Sequence, residues 1–371
     1  MTAIISNRPV KVMLVDDSAI IRGIYRRIME ADTGIEIVAT ASNGQQAIEA
    51  LERHDVDLVV LDIEMPVMDG LSAIPHLLKL RPTMTILMSS TLSARNAEVS
   101  LKALRAGAAD CIQKPTSNGE MGGQQEFSES LLDKIKTLGS LSRKPPVGQG
   151  AAPGKPEEGG GAKTSQSGQI KFRARSKIKP SIVAIGSSTG GPKALIQVFG
   201  KMPSSMNVPI VVTQHMPPIF TKTLAEQIDA SSDWVCHEAQ DREELEPGKI
   251  LIAPGGFHMT VQKVGMKVVA RLNQEPPVNF CRPAVDPMFN SVAEAFGEST
   301  LAVVLTGMGS DGTSGGRAIA DKGGTVLAQD EETSVVWGMP GAAAMAGVCS
   351  KLVALGDVAG EVEKHVRGVV V

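Results

Sequence analysis

Residues 142–168 read SRKPPVGQGAAPGKPEEGGGAKTSQSG and divide the chain more sharply than any other feature. The stretch is crowded with Pro, Gly, Ser and charges and almost empty of large apolar side chains, so it cannot bury enough surface to offset its ordering entropy. It predicts a flexible linker, extending through the basic run KFRARSKIK to Lys179. The full length of 371 residues also exceeds the roughly 250 to 300 residues beyond which a single core stops growing. Two domains are therefore expected, at 10–138 and 180–371, with the linker at 139–179.

Upstream of the linker, short apolar runs alternate with helical patterns: VKVMLVDD, SAIIRGIYRRIME, IEIVATAS, GQQAIEALER, VDLVVLDI, LSAIPHLLKL, MTILMSS, ARNAEVSLKALRAG, DCIQKP and SESLLDKIKTL. Continuous apolar strands separated by helices imply a parallel sheet covered on both faces, here a doubly wound α/β domain of (βα)5 form. Downstream, SIVAIGSST, VPIVVTQH, WVCHEA, KILIAPG, TLAVVLTG and GTVLAQD read as strands, and PKALIQVFG, FTKTLAEQI and DPMFNSVAEAFG as helices among them. MTVQKVGMKVVARL has the pattern of an antiparallel hairpin turning at Gly265. The second domain is thus expected to be α/β as well, mostly parallel and doubly wound, with an antiparallel hairpin at its edge.

Composition narrows the function classes. No run approaches the roughly 18 to 20 uninterrupted apolar residues of a membrane helix, which argues against direct membrane insertion. The start, MTAIISNRPVKV, lacks the basic region and long apolar run of a secretion signal, so a cytoplasmic location is expected. With 37 basic and 40 acidic side chains the net charge is −3, which provides no general attraction to nucleic acid. Cys111, Cys236, Cys281 and Cys349 lie far apart without a CxxC pair, so they read as reduced thiols and not as a zinc site or a disulfide framework.

Ligands of an open parallel sheet gather beyond the carboxyl ends of its strands. Asp16 and Asp17 end the first strand pattern and Asp62 ends the third. Three carboxylates in one crevice repel one another unless a cation neutralises them, and an all-oxygen donor set suits Mg²⁺. Ser89 ends the fourth strand and Lys114 the fifth, offering a hydroxyl and an ammonium to phosphoryl oxygens. The constellation suits phosphoryl transfer to a carboxylate.

In the second half, the strand VAIG breaks at SSTGGP, whose glycines permit a tight turn and whose Pro192 suits the first turn of a helix. Ser187, Ser188 and Thr189 therefore stand at a strand-to-helix corner, a natural place for a nucleophile. The corner is equally a natural phosphate cradle, although it lacks GxGxxG spacing and an acidic residue about 20 positions on. A serine nucleophile requires a base and an orienting acid. His215 directly ends an apolar strand and is the best base. His258 could border a cleft, and His237 and His365 read as packed or solvated. Asp311, in VVLTGMGSDG, follows another apolar strand. It serves equally well as the acid or as an N-cap for the next helix.

The motifs VDDS, LDIEMPVMDG, MSS and QKP resemble the receiver domain of bacterial response regulators. The resemblance implies that Asp62 accepts a phosphoryl group from a chemotaxis histidine kinase, Asp16, Asp17 and Asp62 hold Mg²⁺, Ser89 senses the phosphate, Lys114 pairs with it, and Pro115 follows a cis bond. Receivers often carry an aromatic residue where this chain has Cys111. A receiver can control a DNA-binding module, but those are short, helical and basic, unlike the strand-rich and glycine-rich second half. There, IGSSTGG, TQHMPP, PPVNFCRPAVDPMF, LTGMGSDG and VVWGMP resemble the catalytic domain of the chemotaxis protein-glutamate methylesterases, with an α/β hydrolase-type fold.

By that resemblance Ser188 is the nucleophile, His215 the base and Asp311 its partner. Thr189 lines the site and the Met308 N–H contributes to an oxyanion hole, with no cofactor in the hydrolase domain. Ser187 stands where the family commonly has a small residue, which leaves the neighbouring hydroxyl as an alternative. The implied activity is demethylation of glutamate methyl esters on methyl-accepting chemotaxis receptors, with deamidation of glutamines, by a monomer whose unphosphorylated receiver covers the cleft. The alternatives are a receiver-controlled module that holds a nucleotide without catalysis and a receiver-controlled deamidase with little esterase activity.

Overall fold

A computed structural model describes residues 8–91, 93–114, 121–142 and 170–369. Pro115 and most of the expected linker lie outside these residues. The N-terminal domain alternates β1 (Val10–Val15), α1 (Ala19–Glu30), β2 (Ile35–Ala41), α2 (Gly44–Leu51), β3 (Leu58–Asp62), α3 (Gly70–Leu80), β4 (Thr85–Ser90), α4 (Ala94–Ala106), β5 (Asp110–Gln113) and α5 (Met121–Leu141). Its strands pair in parallel in the order β2-β1-β3-β4-β5. Ser18, Asn43, Asp69 and Ser93 cap the first four helices, each side chain accepting from a first-turn amide, so punctuation in the sequence sets the helix starts. The central strand β3, LVVLD, is buried along its whole length, as expected for a strand covered on both faces.

The C-terminal domain follows as β6 (Ile182–Ser187), α6 (Gly191–Phe199), β7 (Ile210–Gln214), α7 (Phe220–Ser231), β8 (Val235–Glu238), β9 (Lys249–Ile252), β10 (His258–Val264), β11 (Lys267–Asn273), α8 (Val285–Phe296), β12 (Thr300–Val304), α9 (Thr313–Asp321), β13 (Thr325–Gln329), α10 (Met339–Met345), β14 (Lys351–Val353) and α11 (Val358–Arg367). Seven strands form a wholly parallel sheet in the order β14-β13-β12-β6-β7-β9-β8. The hairpin β10–β11 is antiparallel as read from the sequence. It forms a separate two-stranded sheet packed on α8, and not an edge of the main sheet. Strand order reverses at β1 in the first sheet and at β6 in the second, and a crevice opens beyond the carboxyl ends at such a switch point.

Part of the basic run assigned to the linker is tied to the C-terminal domain. Arg173 N–H donates to Cys349 O at 2.9 Å, its guanidinium reaches Gly347 O and Asp321, and Ser176 N–H donates to Thr325 Oγ1 at 2.9 Å. Composition shows charge but not the carbonyls and carboxylates waiting for it.

The two domains meet. Helix α4 packs against α6 and α7, and Val335 and Val336 join an apolar cluster with Ile112, Phe127 and Leu132. Close packing also governs the end of β12, where a Cβ on Gly307 would stand 2.8 Å from Ser188 Cβ and 3.0 Å from Ser188 N. Gly307→Ala is expected to lower stability by about 1 to 3 kcal/mol, as overpacking does. A urea titration checks it, with a lower midpoint and an unchanged slope.

Candidate active site and phosphorylation site

The crevice beside β1 and β3 collects the acidic residues foreseen from the sequence. Asp16, Asp17 and Asp62 bring carboxylate oxygens within 4.8 Å of one another, Asp16 and Asp62 buried and Asp17 exposed. Lys114 Nζ, from the end of β5, sits 2.7 Å from Asp16 Oδ2 and 2.8 Å from Asp62 Oδ1. Burial and the neighbouring Asp16 push Asp62 up to about 6, while Lys114 and the Ile63 N–H work against that rise. An all-oxygen donor set with one shared lysine fits a hard divalent cation.

Ser89 stands at the same end of the sheet, but its hydroxyl is engaged: Ser89 Oγ and Tyr25 Oη lie 2.6 Å apart in a buried hydrogen bond. Tyr25 stacks on Phe127 of α5, ring centroids 6.0 Å apart. Sequence reasoning missed Tyr25, because a tyrosine inside an amphipathic helix reads as core. Cys111 is half-buried with its thiol toward Ser100 O, and burial raises its pKa.

In the C-terminal domain three adjacent strands converge. Ser188 follows β6, His215 follows β7 and Asp311 lies in the loop after β12. Backbone bonds fasten the corner: His215 N–H donates to Ser187 O at 3.1 Å and Ser188 N–H to Thr306 O at 3.0 Å. Gln214 Nε2 donates to Ser188 O at 2.9 Å, and Ser187 Oγ, fully buried, donates to Gln214 Oε1 at 2.7 Å. Ser188 retains 8% exposure beyond the strand end. Thr306 Oγ1 donates to Thr189 O at 2.9 Å and holds the turn from the other side.

His215 Nε2 lies 2.7 Å from Asp311 Oδ2. Asp311 is 1% exposed and accepts from Val285 N–H at 2.6 Å, Asp286 N–H at 3.0 Å, Asn279 Nδ2 at 3.0 Å and Gly312 N–H at 3.0 Å. Val285 and Asp286 open α8, so Asp311 caps that helix and not α9, the one that follows it in sequence. Asp286 returns the favour by accepting from Gly312 and Gly315 N–H at the start of α9. Burial opposes the Asp311 charge, but His215 and the helix amides outweigh it and hold the carboxyl below its ordinary range. The second nitrogen of His215, Nδ1, lies 3.3 Å from Cys281 Sγ.

The other histidines are occupied elsewhere. His258 is buried, with Nδ1 accepting from Ala284 N–H and Nε2 facing Pro276 O. His237 pairs with Glu243, and His365 Nδ1 lies 2.8 Å from Glu361 O. Thr189 Oγ1 donates to Asp110 Oδ2 at 2.6 Å, across the domain boundary, and Lys134 also pairs with Asp110. Met308 packs beside Val335 in the cluster that spans the two domains. Among the described residues, no helix is long and apolar enough to cross a membrane.

Both domains match known families. The response regulator receiver domain family matches residues 12–123 and the CheB methylesterase family matches residues 183–362. The protein-glutamate methylesterase/protein-glutamine glutaminase 1 of Rhodospirillum rubrum is 50% identical over 363 residues, 95% of this chain and 94% of that one. The protein of the same name from Paramagnetospirillum magneticum is 50% identical over 367 residues, 94% of each. Among solved structures, the Thermotoga maritima CheB methylesterase catalytic domain is 42% identical, covering 50% of this chain and 99% of its own, with a TM-score of 0.49. With both domains matched in order and half of all residues shared over nearly the full length, the chain belongs to the protein-glutamate methylesterase/protein-glutamine glutaminases that carry a response regulator receiver ahead of a CheB methylesterase domain.

Proposed function

We propose that Ser188, His215 and Asp311 carry this family's hydrolysis of glutamate methyl esters and glutamine amides on chemotaxis receptors, and that the receiver closes the site until Asp62 is phosphorylated. The observation that supports the first part is the His215–Asp311 hydrogen bond beyond the carboxyl ends of β7 and β12, with the serine at the end of β6, the strand between them. Ser188 is preferred to Ser187 because the Ser187 hydroxyl is buried and committed to Gln214.

In the reaction, Ser188 Oγ attacks the γ-carbonyl carbon and its proton passes to His215, while the carbonyl electron pair moves onto oxygen. The Met308 N–H is the proposed donor to that oxyanion, and Thr189 lines the cleft. The carbonyl re-forms, the bond to the methoxy group breaks, and methanol leaves with the proton from His215. Water then attacks the glutamyl ester, its proton returns through His215 to Ser188, and the glutamate carboxylate is freed. For glutamine the leaving group is ammonia.

The regulatory half rests on the bond from Thr189, the residue after the serine, to Asp110 of the receiver. Asp16, Asp17 and Asp62 would hold Mg²⁺, which supplies charge neutralisation during phosphoryl transfer from a chemotaxis histidine kinase. Lys114 and Ser89 are placed to approach the phosphoryl oxygens, Ser89 with a hydroxyl that shares a hydrogen bond with Tyr25. The reading is of a cytoplasmic monomer.

Three outcomes are expected. Ser188→Ala abolishes methanol release from methylated receptors while Asp62 is still phosphorylated, whereas loss in Ser187→Ala with activity kept in Ser188→Ala would move the nucleophile by one residue. Asp110→Ala raises the activity of the unphosphorylated chain by about 10- to 100-fold, the worth of one hydrogen bond to a charged group. An unchanged basal rate would sink the closing role of that contact. Finally, Mg²⁺ raises the melting temperature of the full chain by binding only the folded receiver, and Asp62→Asn loses most of that increment in the same calorimetric scan.

A further inference from the structure

Asn279 and Phe280, in the loop between β11 and α8, both lie in the left-handed region, at φ of 51° and 61°. Val278 and Cys281 pair across them: Val278 N–H donates to Cys281 O at 3.1 Å and Cys281 N–H to Val278 O at 2.9 Å. Two consecutive positive φ values inside such a pair are the pattern of a type I′ turn, which favours asparagine and glycine. Asn279 tolerates the conformation, but Phe280 is strained in it. The Phe280 side chain does nothing to hold the turn, since it is 92% exposed.

The turn is held by the hydrolytic pair. Asn279 Nδ2 donates to Asp311 Oδ1 at 3.0 Å and to Asp286 Oδ2 at 3.4 Å, and Cys281 Sγ lies 3.3 Å from His215 Nδ1. Both ring nitrogens of His215 are therefore occupied, Nε2 by Asp311 and Nδ1 by Cys281, and no hydrogen bond joins the ring to Ser188 Oγ.

We propose that the turn at 278–281 is a latch on the general base: Cys281 occupies the imidazole nitrogen that Ser188 needs, and His215 becomes available to the serine only when the turn relaxes. This rests on the assignment of Ser188, His215 and Asp311 made above. Asn279 and Cys281 are positioning residues, acting through Asp311 and His215. The charge state agrees with a latched ring. The groups facing it are Asp311 and Cys281, with Asp286 behind them on Asn279. Burial opposes an imidazolium, yet Cys281 and Asp311 together outweigh burial and raise His215 to about 10. A protonated ring cannot accept the serine proton, so releasing Cys281 frees the nitrogen and favours the basic form at once.

The test uses the full chain and two readouts: the rate at which a small fluorophosphonate labels Ser188, and methanol release from methylated receptors. Cys281→Ala is expected to raise both by about 2- to 10-fold, the equilibrium worth of one ordinary hydrogen bond. It also moves the acid limb of the labelling profile to lower pH. Cys281→Ser keeps a hydroxyl on the ring nitrogen and stays at or below the wild-type rate. Phe280→Gly suits the positive φ, relieves the latched turn and lowers the labelling rate. A folded Cys281→Ala chain with slower labelling, or with an unchanged rate and pH profile, overturns the latch. Should Cys281→Ala fail to fold, faster or unchanged labelling in Phe280→Gly overturns it alone. Activity retained in Ser188→Ala would instead refute the underlying triad, so the two failures are distinguishable.

Discussion

The Asp311 carboxylate sits where the loop after β12, the N-terminus of α8 and the His215 ring come together, and it accepts hydrogen bonds from all three as well as from Asn279. Buried amide donors left without an acceptor cost about 1 to 3 kcal/mol each. The charge is stabilised by the positive end of α8 and by the imidazole, which is why a nearly inaccessible acid remains ionised. Asp286 makes the reciprocal connection to α9, so each of two helices is anchored by an aspartate belonging to the neighbourhood of the other. The position of the imidazole, the start of α8 and the turn at 278–281 all follow from this one group.

Domain contact reaches the same corner from outside. Thr189 lies between Ser188 and the glycine turn into α6, and its hydroxyl is spent on Asp110 at the start of β5. Lys114, which faces Asp62, lies immediately beyond the end of that same short strand. Tyr25 and Phe127 give a second route, since Phe127 belongs to the apolar cluster that includes Val335 and Val336 of the hydrolase domain. Both connections are short-range and side-chain based.

The parallel strands were legible because strands buried on both faces are continuous apolar runs, and the strand ends then located Asp16, Asp62, Ser188 and His215. Asp311 was legible only as one of two roles, acid or N-cap, and the fold joins them by giving it α8 to cap. That helix precedes Asp311 in the chain, and no local pattern announces a cap that acts backwards over such a distance. Cys281 beside His215, Asp110 beside Thr189 and Tyr25 beside Ser89 are contacts between distant segments, each residue bland in its own window. The anchoring of Arg173 was hidden for the same reason, because its acceptors, Gly347 and Asp321, belong to other elements.

A consequence follows for anyone wanting a form of this enzyme that captures its receptor without releasing it. The hydrogen bonds that hold Ser188 in place run through its backbone, so its side chain can be shortened without unfastening the corner. Asp311 offers no such freedom, because the oxygens that orient the imidazole also anchor α8, and a change there alters chemistry and architecture together. Under the proposed assignment of Ser188 as nucleophile, a substrate trap is therefore best built at the serine, and an inactive protein made at the aspartate would report on a loosened site instead of a silenced one.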